Sequence, residues 1–188
     1  MPPNQQRSIS IVIALAGRRT DAADTDTIRF PLSEIKSVRK ELHDLFIKNQ
    51  ANTLVCSAAC GADLIALDVA GELNLVRHII IPFSVSEFRR ISVTDLPGEW
   101  GPLYDRIVSE VAAQGLLQVL GCDSNDDSAF SVTNKAIIKH AESLAVDNVL
   151  PLAVVVWEGH SDSPIDATRE FLELAQEAKF TEATIKSS

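Results

Sequence analysis

Two short stretches place small residues beside the charges that handle anions: Gly17-Arg18-Arg19-Thr20-Asp21 and Ser57-Ala58-Ala59-Cys60-Gly61-Ala62-Asp63. Ala58, Ala59, Gly61 and Ala62 carry almost no side chain, so a ligand could reach backbone N–H groups at the start of a following helix, where the dipole favours negative charge. Arg18 or Arg19 would then add a charge-assisted, bidentate contact. The same small residues could equally serve close packing of strand against helix. Asp63, in the first helical turn, could itself satisfy the free N–H groups, or it could accept a hydrogen bond from a ribose hydroxyl or a base. A helix N-terminus contributes about 0.3–2 kcal/mol, whereas micromolar binding needs about 8 kcal/mol. Several loops must therefore converge on any site.

A third stretch, residues 161–171 (SDSPIDATREF), reads as a helix start. Ser163 suits the N-cap, Pro164 the first helical position and Asp166 the acid of a capping box. Asp162 and Asp166 would offset the helix dipole with protein carboxylates. A phosphate there would be repelled unless Arg169 or a cation intervened, so a sugar hydroxyl is the better functional match. Arg89 and Arg90 are either phosphate clamps or a solvated pair. His43, His78, His140 and His160 are spread without metal-ligand spacing. The acidic run Asp123, Asp126 and Asp127 lacks the later bidentate glutamate of a calcium loop and is expected to be solvated. No nucleophile elbow, zinc-protease motif or P-loop lysine is present.

These residues must be held by a scaffold, and the apolar runs say which. Residues 9–16, 53–58, 78–83, 116–120 and 152–157 are short, nearly continuous and rich in Val and Ile, as parallel strands buried on both faces are. Between them, helical spacing predicts helices over about 33–49, 62–74, 99–114, 131–146 and 164–179. The expected fold is α/β: a three-layer α/β/α Rossmann-like domain with a mostly parallel sheet of at least five strands. With 188 residues and no repeat or linker, one domain over 1–188 is expected, with tails 1–7 and 181–188 mobile. Residues 84–98 and 121–130 read as long loops, candidate lids or partner surfaces. In such a sheet, ligands occupy the crevice beyond the carboxyl ends of the strands.

Composition sets outer bounds. The chain is 46% apolar and 23% charged, with 17 basic against 26 acidic residues and a net charge of −9. That field repels polyanions and argues against nucleic-acid binding. Cys56, Cys60 and Cys122 form no disulfide framework and read as structural thiols of a reducing compartment. The apolar run at 9–16 is too short to span a bilayer and lacks the flanks of a signal peptide, so a cytoplasmic protein without membrane association is expected.

The ordered set of GRRTD (17–21), VCSAACGADLIALDVA (55–70), IIIPFSVSEFRRISV (79–93) with GEW (98–100), and VVVWEGHSDSPIDATREF (154–171) resembles the SLOG superfamily. This Rossmann-like group includes the DprA and Smf proteins, the LOG phosphoribohydrolases and nucleotide-sensing domains of bacterial signalling systems. The resemblance spans roughly residues 9–175 and implies a cleft for a nucleotide or nucleotide-derived ligand. By position it carries Gly17, Arg19, Ser57, Ala58, Gly61, Ala62, Asp63 and the Trp157-Glu158-Gly159 strand end. Arg18 stands where a histidine is usual. Pro82, Phe83, Glu87, Phe88, Ser92 and Val93 match the third loop. The glycine-rich phosphate turn of the relatives is replaced by Ile165-Asp166-Ala167-Thr168, which keeps only Thr168. The phosphoribohydrolase reaction is therefore not carried over.

The expected function is binding or sensing of a nucleotide-like small molecule, with ligand contacts from Gly17, Arg18, Arg19, Ser57, Ala58, Gly61, Ala62, Asp63, Trp157 and Thr168. The alternative is an enzyme cleaving an N-glycosidic bond, in which Asp63 or Glu170 would stabilise a ribosyl cation or activate water. A third reading is a vestigial cleft in an interaction or homo-oligomerising protein. No metal and no cofactor beyond the nucleotide ligand is expected.

Overall fold

The computed structural model describes residues 9–161, 163 and 166–188. In chain order it consists of β1 (Ser10–Gly17), a 3-10 turn (Leu32–Glu34), α1 (Ile35–Lys48), β2 (Ala51–Cys56), α2 (Ala62–Glu72), β3 (Val76–Ile81), α3 (Val85–Ser92), α4 (Trp100–Ala113), β4 (Leu117–Val119), α5 (Ala129–Leu144), β5 (Val149–Trp157), α6 (Ala167–Glu177) and β6 (Thr181–Lys186). The strands form one sheet in the order β4-β3-β2-β1-β5-β6, every pairing parallel. The Rossmann-like three-layer expectation is met, with six strands.

Alternation along the strands builds a core on each face. Ile13, Leu15, Leu54, Cys56, Ile79 and Ile81 point to one side, where they meet Val38, Leu42 and Phe46 of α1, the buried residues of α2, and Ile107 and Val111 of α4. Val12, Ala14, Val55, Ile80, Ala153 and Val155 point to the other, against Ile137 and Ala141 of α5 and Phe171 and Ala175 of α6. Each fully buried Leu, Ile or Phe contributes about 1.5–3 kcal/mol. α2 is buried along most of its length, and Ala62, Ala66 and Ala70 at four-residue spacing give it a fully buried small-residue stripe.

Three expectations are corrected. Residues 181–186 are not a mobile tail; they form β6, registered on β5 with Val154 opposite Ala183 and Trp157 opposite Lys186. The strand lies at the sheet edge and buries only Ile185 deeply, so no continuous apolar run announces it. Residues 84–98 are not simply a loop, because α3 occupies their first half. Ser84 caps it, its Oγ accepting from the Glu87 amide at 3.3 Å, and Phe88 and Ser92 face inward four residues apart. Finally, α6 begins at Ala167 with Asp166 as N-cap, rather than at 164 with Ser163 as cap. Asp162, Pro164, Ile165 and the expected tail at 1–7 lie outside the described residues. Among those described, no helix is long and apolar enough to cross a membrane.

Candidate functional site at the carboxyl edge of the sheet

Strand order reverses between β1 and β5, so the residues that follow these two strands lie at the topological switch point of the carboxyl edge, where an open parallel sheet has its crevice. Three cavities of about 520, 250 and 510 Å³ adjoin there. Ala167, the first residue of α6, lines all three. Gly17, Arg19 and Thr168 form the divide between the first two, and Phe130 that between the second and third.

The turn before α2 faces protein rather than open groove. Gly61 has φ +93, and a Cβ there would lie 2.7 Å from the Arg18 carbonyl oxygen and 2.9 Å from the Thr20 amide nitrogen. Its left-handed backbone and its lack of a side chain are both required by the β1 turn lying directly on it. A Cβ on Gly17 would likewise sit 2.9 Å from the Val156 carbonyl oxygen. The amides expected to cradle a ligand already have acceptors: Ala62 donates to Arg18 O at 3.1 Å, Cys60 to Ser92 O at 2.9 Å, and Ala59 to Asp63 Oδ2 at 3.2 Å. Ala58, Gly61 and Ala62 are buried without lining any of the three cavities, whereas Ser57 and Asp63 line the 250 Å³ one.

Asp63 is 6% exposed. Burial pushes its carboxyl up to about 7, opposed by the Ala59 amide and the charge of Arg19. It is held near neutral pH between the acid and the carboxylate.

Arg18 is a strut. Its Nε and Nη2 donate to Glu158 Oε2 and Oε1 at 2.6 and 2.8 Å, and Nη1 lies 2.7 Å from Asp166 Oδ2. Its guanidinium sits 5.7 Å from the ring centre of buried Trp157. Burial opposes the Arg18 charge, but the hydrogen bonds it donates to Glu158 and Asp166 outweigh it and raise the pKa. Asp166 is correspondingly lowered: burial would raise it, and Ser161, the Arg169 amide and Arg18 together win. Its Oδ1 caps α6 by accepting from the Arg169 amide at 3.0 Å. Arg18 borders the 520 Å³ cavity with its charge already matched, and Trp157 lines none of the three. Arg19 lines both cavities on either side of the divide and pairs with Asp95.

Several lining residues were not singled out as ligand contacts from the sequence. Phe130, Asn134 and Ile137 descend one face of α5 into the 250 Å³ cavity, joined by Phe88 and Ser92 of α3. Asn134, a polar residue on an apolar stripe, was the available signal. Thr25, Thr27 and Arg29 line the 520 Å³ cavity. Glu170 accepts from Ser131 Oγ and lies 3.4 Å from Asn134 Nδ2 in the 510 Å³ cavity, not beside Asp63 in the 250 Å³ one. Arg89 is held by Asp105 at 2.7 and 3.0 Å, and Arg90 projects into solvent near Glu87; neither lines these cavities. His78 and His140, distant in sequence, meet at 2.9 Å with burial lowering the pKa of both. They too lie off the groove.

Among the described residues, Arg19 Nε and Ser92 Oγ are buried without a hydrogen-bond partner, while Asp166 Oδ2 is buried with the Arg18 Nη1 contact at 2.7 Å as its ion pair. All three belong to residues that line the adjoining cavities. Asp166 is compensated by the Arg18 charge and Arg19 by Asp95. Ser92, 1% exposed, has no such compensation.

The fold and site define a Rossmann-like domain with a groove of mixed polar and apolar lining at its topological switch point. No protein-family model matches the chain, and a search of curated proteins finds no match.

Proposed function

We propose that the chain is a recognition module for a nucleotide or nucleotide-derived small molecule, bound across the groove at the carboxyl edge, as the resemblance of its turns to the SLOG superfamily implies. The observation that carries this reading is Ser92 Oγ, buried, unpartnered and on the 250 Å³ cavity, with Arg19 Nε, also buried and without a hydrogen-bond partner, on the same cavity. A buried polar group left unpaired costs about 1–3 kcal/mol, and folded proteins keep few of them. Such groups at a cleft are explained when a ligand supplies the partners. The 250 Å³ cavity, walled by Phe88, Phe130 and Ile137, has the size and flat apolar sides for one ring system. The adjacent 520 Å³ cavity is lined by Arg19, paired with Asp95, by Arg29, 3.7 Å from Glu158, and by Asp21. An anionic group would lie between the two arginines, with the first residues of α6 at the crossing.

Catalysis is the second reading. Its support is Asp63, a buried carboxyl near neutral pKa in a cavity, as acid–base chemistry requires.

The test is thermal unfolding against mononucleotides, cyclic and oligonucleotide messengers, NAD and ADP-ribose, each mixture then separated by chromatography. A ligand at a hundred times its Kd adds about 2.7 kcal/mol, raising Tm by about 2–8 °C. Ala167→Trp places a large side chain on an exposed residue common to all three cavities. It is expected to leave the unliganded Tm nearly unchanged and to abolish the shift. New products would select the enzyme; no shift with any compound would refute nucleotide binding.

A further inference from the structure

Resting on the nucleotide-binding reading, we infer that the 250 Å³ cavity selects a guanine-type base, with Asp63 and Asn134 accepting from its amine and ring N–H and Ser92 donating to its carbonyl. The polar groups on this cavity are Arg19, the Ser57, Ser92 and Thr168 hydroxyls, and Asn134 and Asp63, whose oxygens are open to a donor. Asn134 is 7% exposed, and its Nδ2 donates to the Ala167 carbonyl at 2.9 Å, with Glu170 Oε2 at 3.4 Å. Both neighbours are acceptors, so the amide nitrogen must face them and Oδ1 is left as the group available to a ligand. Asp63 accepts from the Ala59 amide through Oδ2 alone, which leaves Oδ1 without a protein donor among the described residues. The Ser92 hydroxyl, buried and unpartnered, supplies a donor that rotates to its acceptor.

A base that meets this set must present two adjacent donors and one acceptor. The guanine edge does so: its 2-amino group and ring N–H face the two oxygens, and its carbonyl faces Ser92. Adenine directs a ring acceptor at the same oxygens, and hypoxanthine lacks the amine. A site built to hydrogen-bond a group rejects the analogue without it, because its own polar atoms are then left buried and unpaired. Phe88 and Phe130 supply apolar walls for either purine, so stacking does not discriminate between them.

Isothermal titration of the full chain with GMP, IMP and AMP at pH 8 tests this directly. GMP is expected to bind about ten- to a hundredfold more tightly than IMP or AMP, the range of one hydrogen bond to a charged group. Lowering the pH to 6 protonates Asp63, whose carboxyl lies at about 7, and should weaken GMP about tenfold by reducing the competent fraction. Asp63→Asn, checked for an intact unfolding transition, should bring the GMP-to-IMP ratio close to one. IMP or AMP binding as tightly as GMP would overturn the base assignment while leaving the nucleotide-binding reading in place. A GMP preference that survives Asp63→Asn would overturn the role of Asp63. Absence of binding by any nucleotide, with Ala167→Trp indistinguishable from the parent, would remove both readings together. The wild-type ratio needs no variant and decides the matter even if Asp63→Asn fails to fold.

Discussion

Two helix N-termini meet at the carboxyl edge, and their chemistry is the reverse of their composition. α2 follows a run of small residues that looks made for a ligand, yet the β1 turn lies on Gly61 and the amides of Ala59, Cys60 and Ala62 have protein acceptors. α6 starts at an aspartate that looks like a structural cap, yet Ala167 and Thr168 stand on the groove itself. The lesson is that small side chains create room without saying what fills it. At α2 the occupant is the chain's own backbone. At α6 the cap satisfies the Arg169 amide and an arginine neutralises the cap, so the first helical residues are left at the opening.

The comparison breaks most sharply at Arg18. Arg18→Met would leave Asp166, whose side chain is 1% exposed, without its cation, and Glu158, 9% exposed, with only Arg29 at 3.7 Å among the described residues. The expected loss is about 3–5 kcal/mol by urea unfolding; a loss within 1 kcal/mol would mean that the network does not hold α6. Because the folded Asp166 pKa lies below its ordinary 3.8, its stabilisation is complete above that value and disappears as pH falls through the folded one. The variant should lose that acid limb.

At α2 the sign is opposite. The folded Asp63 pKa of about 7 exceeds its ordinary 3.8, so its favourable contribution is complete below about pH 4 and is lost as pH rises through 7. Three pH units correspond to about 4 kcal/mol at most. Asp63→Asn should therefore match the parent near pH 4 and exceed its stability at pH 8, as measured by denaturant midpoints across pH. Equal stabilities at both pH values would deny the buried charge. The smallest effect expected is Gly61→Ala, about 2–3 kcal/mol from strain at φ +93 and contact with backbone. That cost should be the same with ligand absent, since Gly61 belongs to the packing of the two turns.

The layered architecture could be read from the sequence because β1, β2, β3 and β5 are covered on both faces and helices return between them. β6 could not, since an edge strand with one deeply buried residue leaves Thr, Glu and Lys in view. α3 escaped despite its Ser84-x-x-Glu87 box, its apolar face being only two turns long. For the site, local chemistry singled out Arg19, Asp63 and Thr168, which the structure places on the cavities. It also singled out Arg18 and Trp157, which became internal partners of β5 and its loop. The distinction rests on Glu158, 140 residues from Arg18, and no local pattern reveals a partner at that range. Asn134 and Phe130 were hidden by the helical stripe that carries them.

β6 has a further consequence for the groove. Past its end, the Ser187 amide donates to Trp157 O at 3.2 Å and its hydroxyl to Arg29 O at 2.6 Å, while Lys186 Nζ reaches Glu158 O at 2.9 Å. The loop after the first strand is thus fastened by a residue 158 positions later in the chain. A contact of such separation closes a long loop, at an entropic cost that grows only slowly with its length. The wall it fastens is the expected place for sub-global opening, with amide exchange in residues 18–31 following the docking of the edge strand.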